Sequence, residues 1–122
     1  MAEVFYTEDH EWISIDGDTV RVGITDYAQD QLGDIVYVEL PDEDDEVEKG
    51  EEVGSVESVK SVSEIYAPVN GTVSAVNETI DDAPETANED PEGEGWFYEV
   101  TVDGEVDTSN FMDKAAYDAS IE

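Results

Sequence analysis

The chain has 122 residues, of which 35 are acidic and four are lysine or arginine, and its formal net charge is −31. That charge excludes binding to nucleic acid and to anionic membrane surfaces, because like charges repel. Cysteine is absent, which excludes disulfides, thiolate nucleophiles and thiolate metal sites.

Short apolar or alternating runs, separated by turn signals, predict strands along most of the chain. They cover residues 12–15, 19–22, 35–40, 53–59, 62–67, 72–77 and 96–102. The first two runs flank Asp16-Gly17-Asp18, which is typical of a tight hairpin turn. Before the sixth run, Asn70-Gly71 is a pair that tolerates the positive φ of a turn.

Helices are expected only as minor elements. A short helix is predicted over residues 26–32, with Asp26 as its N-cap and Gly33 as its end. A terminal helix is predicted to run through Tyr117, with Asn110 as its N-cap.

The two most acidic segments are expected to be loops. They cover residues 42–52 and 78–95, and the second contains one helical turn near Pro84. Many short strands with turns at close spacing are typical of a small sandwich or barrel. The sequence therefore predicts one domain of mainly β structure, residues 1–122, with no tandem repeat.

The acids are spread through the expected loops rather than collected in one tail. Exposed carboxylates are tolerable in concentrated salt, because the Debye length falls to about 3 Å at 1 M. Residues 1–12 lack the basic flank and apolar stretch of a signal peptide, and no apolar run is long enough to span a membrane. We therefore expect a soluble protein of a high-salt cytoplasm.

Catalytic and metal-binding motifs are incomplete in this sequence. His10-Glu11 is similar to the start of a zinc-protease helix, but Ser14 stands where the second histidine is needed. His10 is the only histidine, and no nucleophile-elbow sequence is present to form a serine triad with it. The acidic segment 42–52 lacks the glycine and glutamate that a calcium loop needs at its sixth and twelfth positions. No catalytic residue and no metal ligand are predicted.

Lys60 is the residue that the sequence singles out. It stands at the expected hairpin tip between two β runs. An exposed lysine has a pKa of about 10.4 and is a poor nucleophile at neutral pH, and nothing indicates an apolar pocket that would activate it. A merely solubilising charge is the alternative, although the acids already supply solubility. Covalent acylation needs only a projecting amine, so we expect Lys60 to carry an attached group.

The sequence also resembles the H proteins of the glycine cleavage system over nearly its whole length. The resemblance lies in HEW at 10–12, GITDYAQDQLGDIVYVELP at 23–41, ESVKSVSEIYAPVNG at 57–71, VNE at 76–78 and NEDPEGEGW at 88–96. It implies a barrel-sandwich hybrid of the lipoyl/biotinyl-carrier type, with one or two short helices and a C-terminal helix. Two departures are the glycine-free residues 42–45 and Asp9, which stands where a small hydroxyl residue is common.

The resemblance implies a role for each of six residues. Lys60 aligns with the lysine that carries lipoate in amide linkage. Glu57 and Gly71 align with residues that help a lipoylating enzyme recognise the hairpin. Finally, His10, Glu11 and Glu64 align with residues beside the carried arm in a surface cleft.

The implied function is that of a carrier, not an enzyme. The chain would receive the methylamine group of glycine from a pyridoxal-phosphate glycine decarboxylase and pass it to an aminomethyltransferase. A dihydrolipoamide dehydrogenase would then reoxidise it. A non-catalytic β interaction module and a lipoate-relay protein of the same fold remain alternatives. Biotinyl carriers are less similar, since Val59 and Ser61 flank Lys60 where they have methionines.

Overall fold

The structure is a computed structural model that describes residues 3–8, 10–102, 108 and 111–121. Within these ranges it contains nine strands and four short helices. The strands are β1 Glu3–Tyr6, β2 Glu11–Asp16, β3 Thr19–Ile24, β4 Ile35–Glu39, β5 Glu46–Val47, β6 Glu52–Ser58, β7 Val62–Tyr66, β8 Gly71–Val76 and β9 Tyr98–Thr101. The helices are α1 Asp26–Leu32, α2 Glu78–Asp82, α3 Thr86–Glu89 and α4 Lys114–Ser120. The mainly β fold class with short helices and a C-terminal helix is confirmed.

Two antiparallel sheets enclose one hydrophobic core. The large sheet has the strand order β1-β2-β3-β9-β8-β5, and the small sheet has the order β4-β6-β7. Apolar side chains of both sheets belong to the same buried cluster; examples are Val38, Val56 and Ile65 from the small sheet and Val22, Val73 and Val100 from the large sheet. Burial of such side chains contributes about 1.5–3 kcal/mol each, which holds the sheets face to face.

The C-terminal helix packs on the outer end of the large sheet. Tyr117 of α4 stacks on Tyr6 of β1 with ring centroids 4.8 Å apart, and both belong to a second buried cluster with Trp12. The backbone of Tyr6 also exchanges hydrogen bonds of 2.7 and 2.8 Å with Met112. These contacts fix the helix next to the start of β2.

The predicted N-cap of α1 is wrong by one residue. The helix begins at Asp26, so the cap is Thr25, whose hydroxyl accepts a hydrogen bond of 3.2 Å from Ala28 N. Gly33 ends the helix with φ 81°, a conformation that favours glycine. For α4 the cap is Asp113, and the predicted cap Asn110 lies outside the described residues.

The segment 78–95 contains two helices rather than one loop. Asn77 caps α2 by accepting a hydrogen bond of 3.1 Å from Thr79 N. Ile80 of α2 and Ala87 of α3 are fully buried in the main core. Each helix has a single buried residue, which is too few for a helical period to be visible among the acids.

The turn expected before β8 is present as a bend over residues 68–70, but it does not use a positive φ. Gly71 begins β8, and neither Asn70 nor Gly71 is among the positive-φ residues of the described chain. A Cβ on Gly71 would lie 2.5 Å from Thr101 O, closer than side-chain carbons approach. Glycine is required here because β8 passes close to β9.

Candidate functional site

The Lys60 hairpin tip has a defined backbone geometry. Residues 59–61 connect β6 to β7, and Ser58 N donates a hydrogen bond of 2.8 Å to Ser61 O. The Ser58 hydroxyl accepts hydrogen bonds from Lys60 N at 3.2 Å and from Ser61 N at 3.1 Å. Ser58 is buried although it is polar. The hydrogen bonds to the Ser58 side chain therefore hold the backbone of Lys60 and Ser61 in place.

A second support is the segment Gly33, Asp34 and Ile35, which we call the shelf. Asp34 O accepts a hydrogen bond of 3.0 Å from Val59 N, next to Lys60. A Cβ on Gly33 would lie 3.0 Å from Lys60 Cε, so the lysine stem passes directly over this glycine. The shelf braces the tip from the side of α1.

Asn88 of α3 holds the shelf. Its side-chain oxygen accepts a hydrogen bond of 2.8 Å from Ile35 N. Its side-chain nitrogen donates to Gly33 O at 2.8 Å and to Gln29 Oε1 at 3.0 Å. One amide thus joins the end of α1 to the start of β4. The sequence analysis missed this residue, and its only visible signal was its place in the motif at 88–96.

The Lys60 side chain is exposed, and its amine makes no ion pair with any described residue. The two ion pairs among the described residues join Arg21 to Glu99 and Lys114 to Asp118. A braced backbone with an unpaired amine presents that amine to a reagent or an enzyme.

A cleft of about 350 Å³ lies between β7 and α1. Its lining includes the three residues predicted to contact a carried arm, His10, Glu11 and Glu64. Ser61, the neighbour of Lys60, also lines it, so the cleft begins next to the tip. The structure therefore brings these residues together, and their contact with an arm stays a prediction.

Glu11 is the carboxylate at the inner end of the cleft, and its exposed fraction is 3%. Its Oε2 accepts a hydrogen bond of 2.9 Å from Tyr66 N. Among the described strands β7 pairs only with β6, so this bond satisfies a donor on the outer edge of the small sheet. Burial, and secondarily the charge of Glu11, raise the pKa of Tyr98 well above its usual value. The cleft thus contains a buried acidic group that can face a cation.

His10 is held from two sides. Its Nδ1 lies 2.9 Å from the Tyr117 hydroxyl, which in turn lies 2.7 Å from Thr25 Oγ1. Its ring centroid is 4.9 Å from that of Tyr27. Its φ of 64° places it in the left-handed region, which is uncommon for a residue with a side chain. Through Tyr117, the C-terminal helix sets the position of this imidazole, a link that the sequence did not reveal.

Glu64 and Glu57 are both exposed, and they lie in different surroundings. Glu64 accepts a hydrogen bond of 2.6 Å from the Tyr66 hydroxyl at the rim of the cleft. Glu57 lies opposite Tyr37 on one side and Val62 on the other, on the outer face of the small sheet. Glu57 is therefore beside the tip but outside the cleft lining.

The structure does not bring Gly71 to the hairpin tip. It follows the opposite end of β7, so about 13 Å of extended strand separates it from the tip. Its close approach to Thr101 gives it a packing function. The recognition functions assigned to Glu57 and Gly71 stay predictions, and Asp9 lies outside the described residues.

The described residues lack two further kinds of feature. They contain no cluster of three or more histidine or acidic side chains that could bind a metal ion. None of the helices in those ranges is both long and apolar enough to cross a membrane.

Comparison with known proteins gives consistent matches over almost the whole chain. A sequence model of the family described as "Glycine cleavage H-protein" matches residues 4–122. The chain is 54% identical over 117 residues to the "Probable glycine cleavage system H protein" of Haloarcula marismortui, covering 96% of this chain and 92% of that relative. It is 45% identical over 117 residues to the "Glycine cleavage system H protein" of Bartonella quintana, covering 96% of each.

A similar fold is known from a crystal structure. It is that of a glycine cleavage system H protein from Mycobacterium marinum, with a TM-score of 0.88 and 40% sequence identity. The match covers 97% of this chain and 95% of that one.

Proposed function

The chain belongs to the glycine cleavage H-protein family, and from that premise we propose that Lys60 bears a lipoyl group in amide linkage. The observation that carries this proposal is the position of Lys60, at a braced hairpin tip next to a cleft with a buried carboxylate. The amine projects where a modifying enzyme can reach it. Carriage requires no catalytic residue in this chain, so we propose a carrier and not an enzyme.

The residues of the cleft fit such a group and its cargo. A bound lipoyl group supplies the sulfur chemistry that this cysteine-free chain lacks. The cleft volume, about 350 Å³, is at the lower end of the roughly 300–1,000 Å³ typical of ligand pockets. Glu11 offers a carboxylate of low exposure to the cationic amine of a carried methylamine group, which makes a charge-assisted hydrogen bond strong.

His10 and Glu64 complete the proposed cleft. Glu64, fixed by the Tyr66 hydroxyl, adds a second negative charge at the rim. His10, fixed by Tyr117, fills the side that faces Tyr27. Together these side chains limit the access of water to the cargo, which protects a hydrolysable group.

We assign the partners from the family. The chain receives the methylamine group of glycine from a pyridoxal-phosphate glycine decarboxylase and delivers it to an aminomethyltransferase. A dihydrolipoamide dehydrogenase then reoxidises the carrier. A lipoylating enzyme acts first, and Glu57 and Gly71 belong to what it recognises. The net charge of −31 and the haloarchaeal relative support function in a high-salt cytoplasm.

Intact mass and peptide mapping of protein from the native host test this proposal. We expect a mass increase of one lipoyl group, located on the peptide that contains Lys60. An unmodified Lys60, in cells whose other lipoyl proteins are loaded, would instead favour a non-catalytic β interaction module.

A further inference from the structure

Exposed hydrophobic side chains are concentrated at the Lys60 tip. Among the described residues, five large hydrophobic side chains are exposed, and four of them surround this tip. We call these four the tip surface; they are Val36, Tyr37, Val59 and Val62, with exposed fractions of 48%, 49%, 67% and 62%. The fifth is Val4 in β1, with an exposed fraction of 47%.

The strand register places two residues of the tip surface on either side of Glu57. Tyr37 in β4, Glu57 in β6 and Val62 in β7 are direct neighbours across the three strands of the small sheet. Neighbouring strands are about 4.8 Å apart, so Tyr37 and Val62 lie about 10 Å apart with Glu57 between them. Val36 lies at the irregularity in the pairing of β4, and Val59 is in the tip itself.

The clustering calls for an explanation that isolated exposed residues do not need. Single hydrophobic side chains on a surface are normal, whereas a cluster of them around one functional residue indicates an interaction site. Here the group occurs in a chain with 35 acidic residues. The opposite face of the same strands packs Val38 and Val56 into the core, and none of the four side chains of the tip surface belongs to that buried cluster.

Building on the lipoylation proposed above, we propose that the tip surface is the docking surface for the enzyme that acylates Lys60. The partner's contact surface is apolar, and it places a cationic group opposite Glu57. In the reaction, neutral Lys60 Nζ forms an amide bond with the carbonyl carbon of an activated acyl donor. The bond to the donor's leaving group breaks, the leaving group keeps that electron pair, and Nζ releases one proton.

The short reach of the lysine side chain selects this partner. Only four methylene groups separate Nζ from the backbone. An enzyme that forms a bond to Nζ must therefore contact the surface at Val59, which precedes Lys60, and at Val62, which begins β7 two residues after it. Enzymes that act on the far end of a carried arm meet it at the cleft, whose lining includes neither Val59 nor Val62, so they need no contact with these residues.

Salt strengthens the case for apolar recognition. At 1 M salt the Debye length is about 3 Å, so attraction between exposed acids and a basic partner is largely screened. Apolar contacts are not screened, and salts that are excluded from the protein surface strengthen them. In a high-salt cytoplasm, a surface such as Tyr37, Val59 and Val62 would retain its affinity when Glu57 alone would not.

The test compares acylation of the full-length unmodified chain in four forms. They are the wild type, the double variant Val59→Ser with Val62→Ser, the single variant Tyr37→Ser, and the matched control Val4→Ser. A purified lipoate ligase, supplied with lipoate and ATP, acylates each form at several concentrations, and mass spectrometry follows the product. We expect kcat/KM to fall about tenfold in the double variant and severalfold in Tyr37→Ser, mainly through KM, as truncation of central contact residues does. The control should stay within twofold of wild type.

A second measurement distinguishes the partner. Each form is acylated to completion by long incubation and then assayed as a substrate of glycine decarboxylase, with circular dichroism confirming its fold. We expect decarboxylase kcat/KM within twofold of wild type. Unchanged acylation kinetics in the double variant, or an equal loss with the decarboxylase, would overturn the assignment while Lys60 remains a carrier. A wild-type chain that is never acylated at Lys60 would overturn the proposed function itself.

Discussion

Asn88→Ala should destabilise the fold at the shelf that braces Lys60. The substitution removes three hydrogen bonds, to Ile35 N, Gly33 O and Gln29 Oε1. Ile35 is buried, so its N–H would lose its acceptor with little access to water, at a cost of about 1–3 kcal/mol. The other two bonds are partly exposed and are worth about 0.5–1 kcal/mol each. We expect the free energy of unfolding to fall by about 2–5 kcal/mol.

Urea denaturation at constant high salt measures this loss, and Asn70→Ala is the matched control. Asn70 also accepts a backbone hydrogen bond, of 2.7 Å from Lys49 N, but it is exposed and distant from the shelf. That control should cost less than about 1 kcal/mol. Hydrogen exchange gives a local readout, because Val59 N–H is bonded to Asp34 O of the shelf. Its exchange should accelerate in Asn88→Ala and not in Asn70→Ala.

Two results would refute this reasoning. A loss below about 0.5 kcal/mol in Asn88→Ala would mean that water replaces the amide at no cost. Equal losses in the two variants would mean that the burial of Ile35 N–H has no effect on the energy. In either case the shelf would not depend on Asn88.

The other predictions concern the carrier lysine, alkaline pH and salt. Lys60→Arg should fold normally yet abolish carrier activity, because the charge is kept and the acylatable amine is lost; retained glycine cleavage would contradict the carrier function. Burial raises the pKa of Tyr98 and Tyr117 above the usual 10.0. The contribution of these two phenols to stability is therefore fully present below pH 10 and is lost as the pH rises further, because the phenols ionise first in the unfolded chain. Tyr98→Phe should therefore raise the midpoint of alkaline unfolding, measured by circular dichroism, and an unchanged midpoint would exclude this cause. With a net charge of −31, the fold should loosen as salt is withdrawn; a spectrum indifferent to dilution would count against adaptation to high salt.

The hairpin around Lys60 was predictable from the sequence because its signals are local. Two β runs and a lone basic residue between them are enough to place a tip. The cleft is different, since its residues come from α1, from four strands (β2, β3, β6 and β7) and from the loops that contain His10 and Ser61. His10 and Glu64 are 54 positions apart, and no periodicity connects them. Only the family resemblance indicated that they belong together.

Supporting residues were missed for a related reason. Asn88 and Tyr117 act through hydrogen bonds to residues far away in the sequence, at Ile35 and at His10. A polar residue in an acidic segment, or a tyrosine in a short terminal helix, has no pattern that predicts such a partner. Local propensity explains caps and turns, whereas long-range polar contacts depend on how the two sheets are stacked.

The burial of Glu11 sets it apart from the other carboxylates that line the cleft or lie beside the tip. Glu64 and Glu57 are exposed, so salt at molar concentration screens their charge within about 3 Å. Glu11 has an exposed fraction of 3%, and a buried charge is screened far less. The exposed carboxylates of the acidic surface therefore attract a cationic amine less strongly than the buried carboxylate in the cleft does. In concentrated salt, attraction between charges more than a contact distance apart survives mainly where the protein excludes water. The Glu11 carboxylate, which accepts a hydrogen bond from Tyr66 N, lies in such a place.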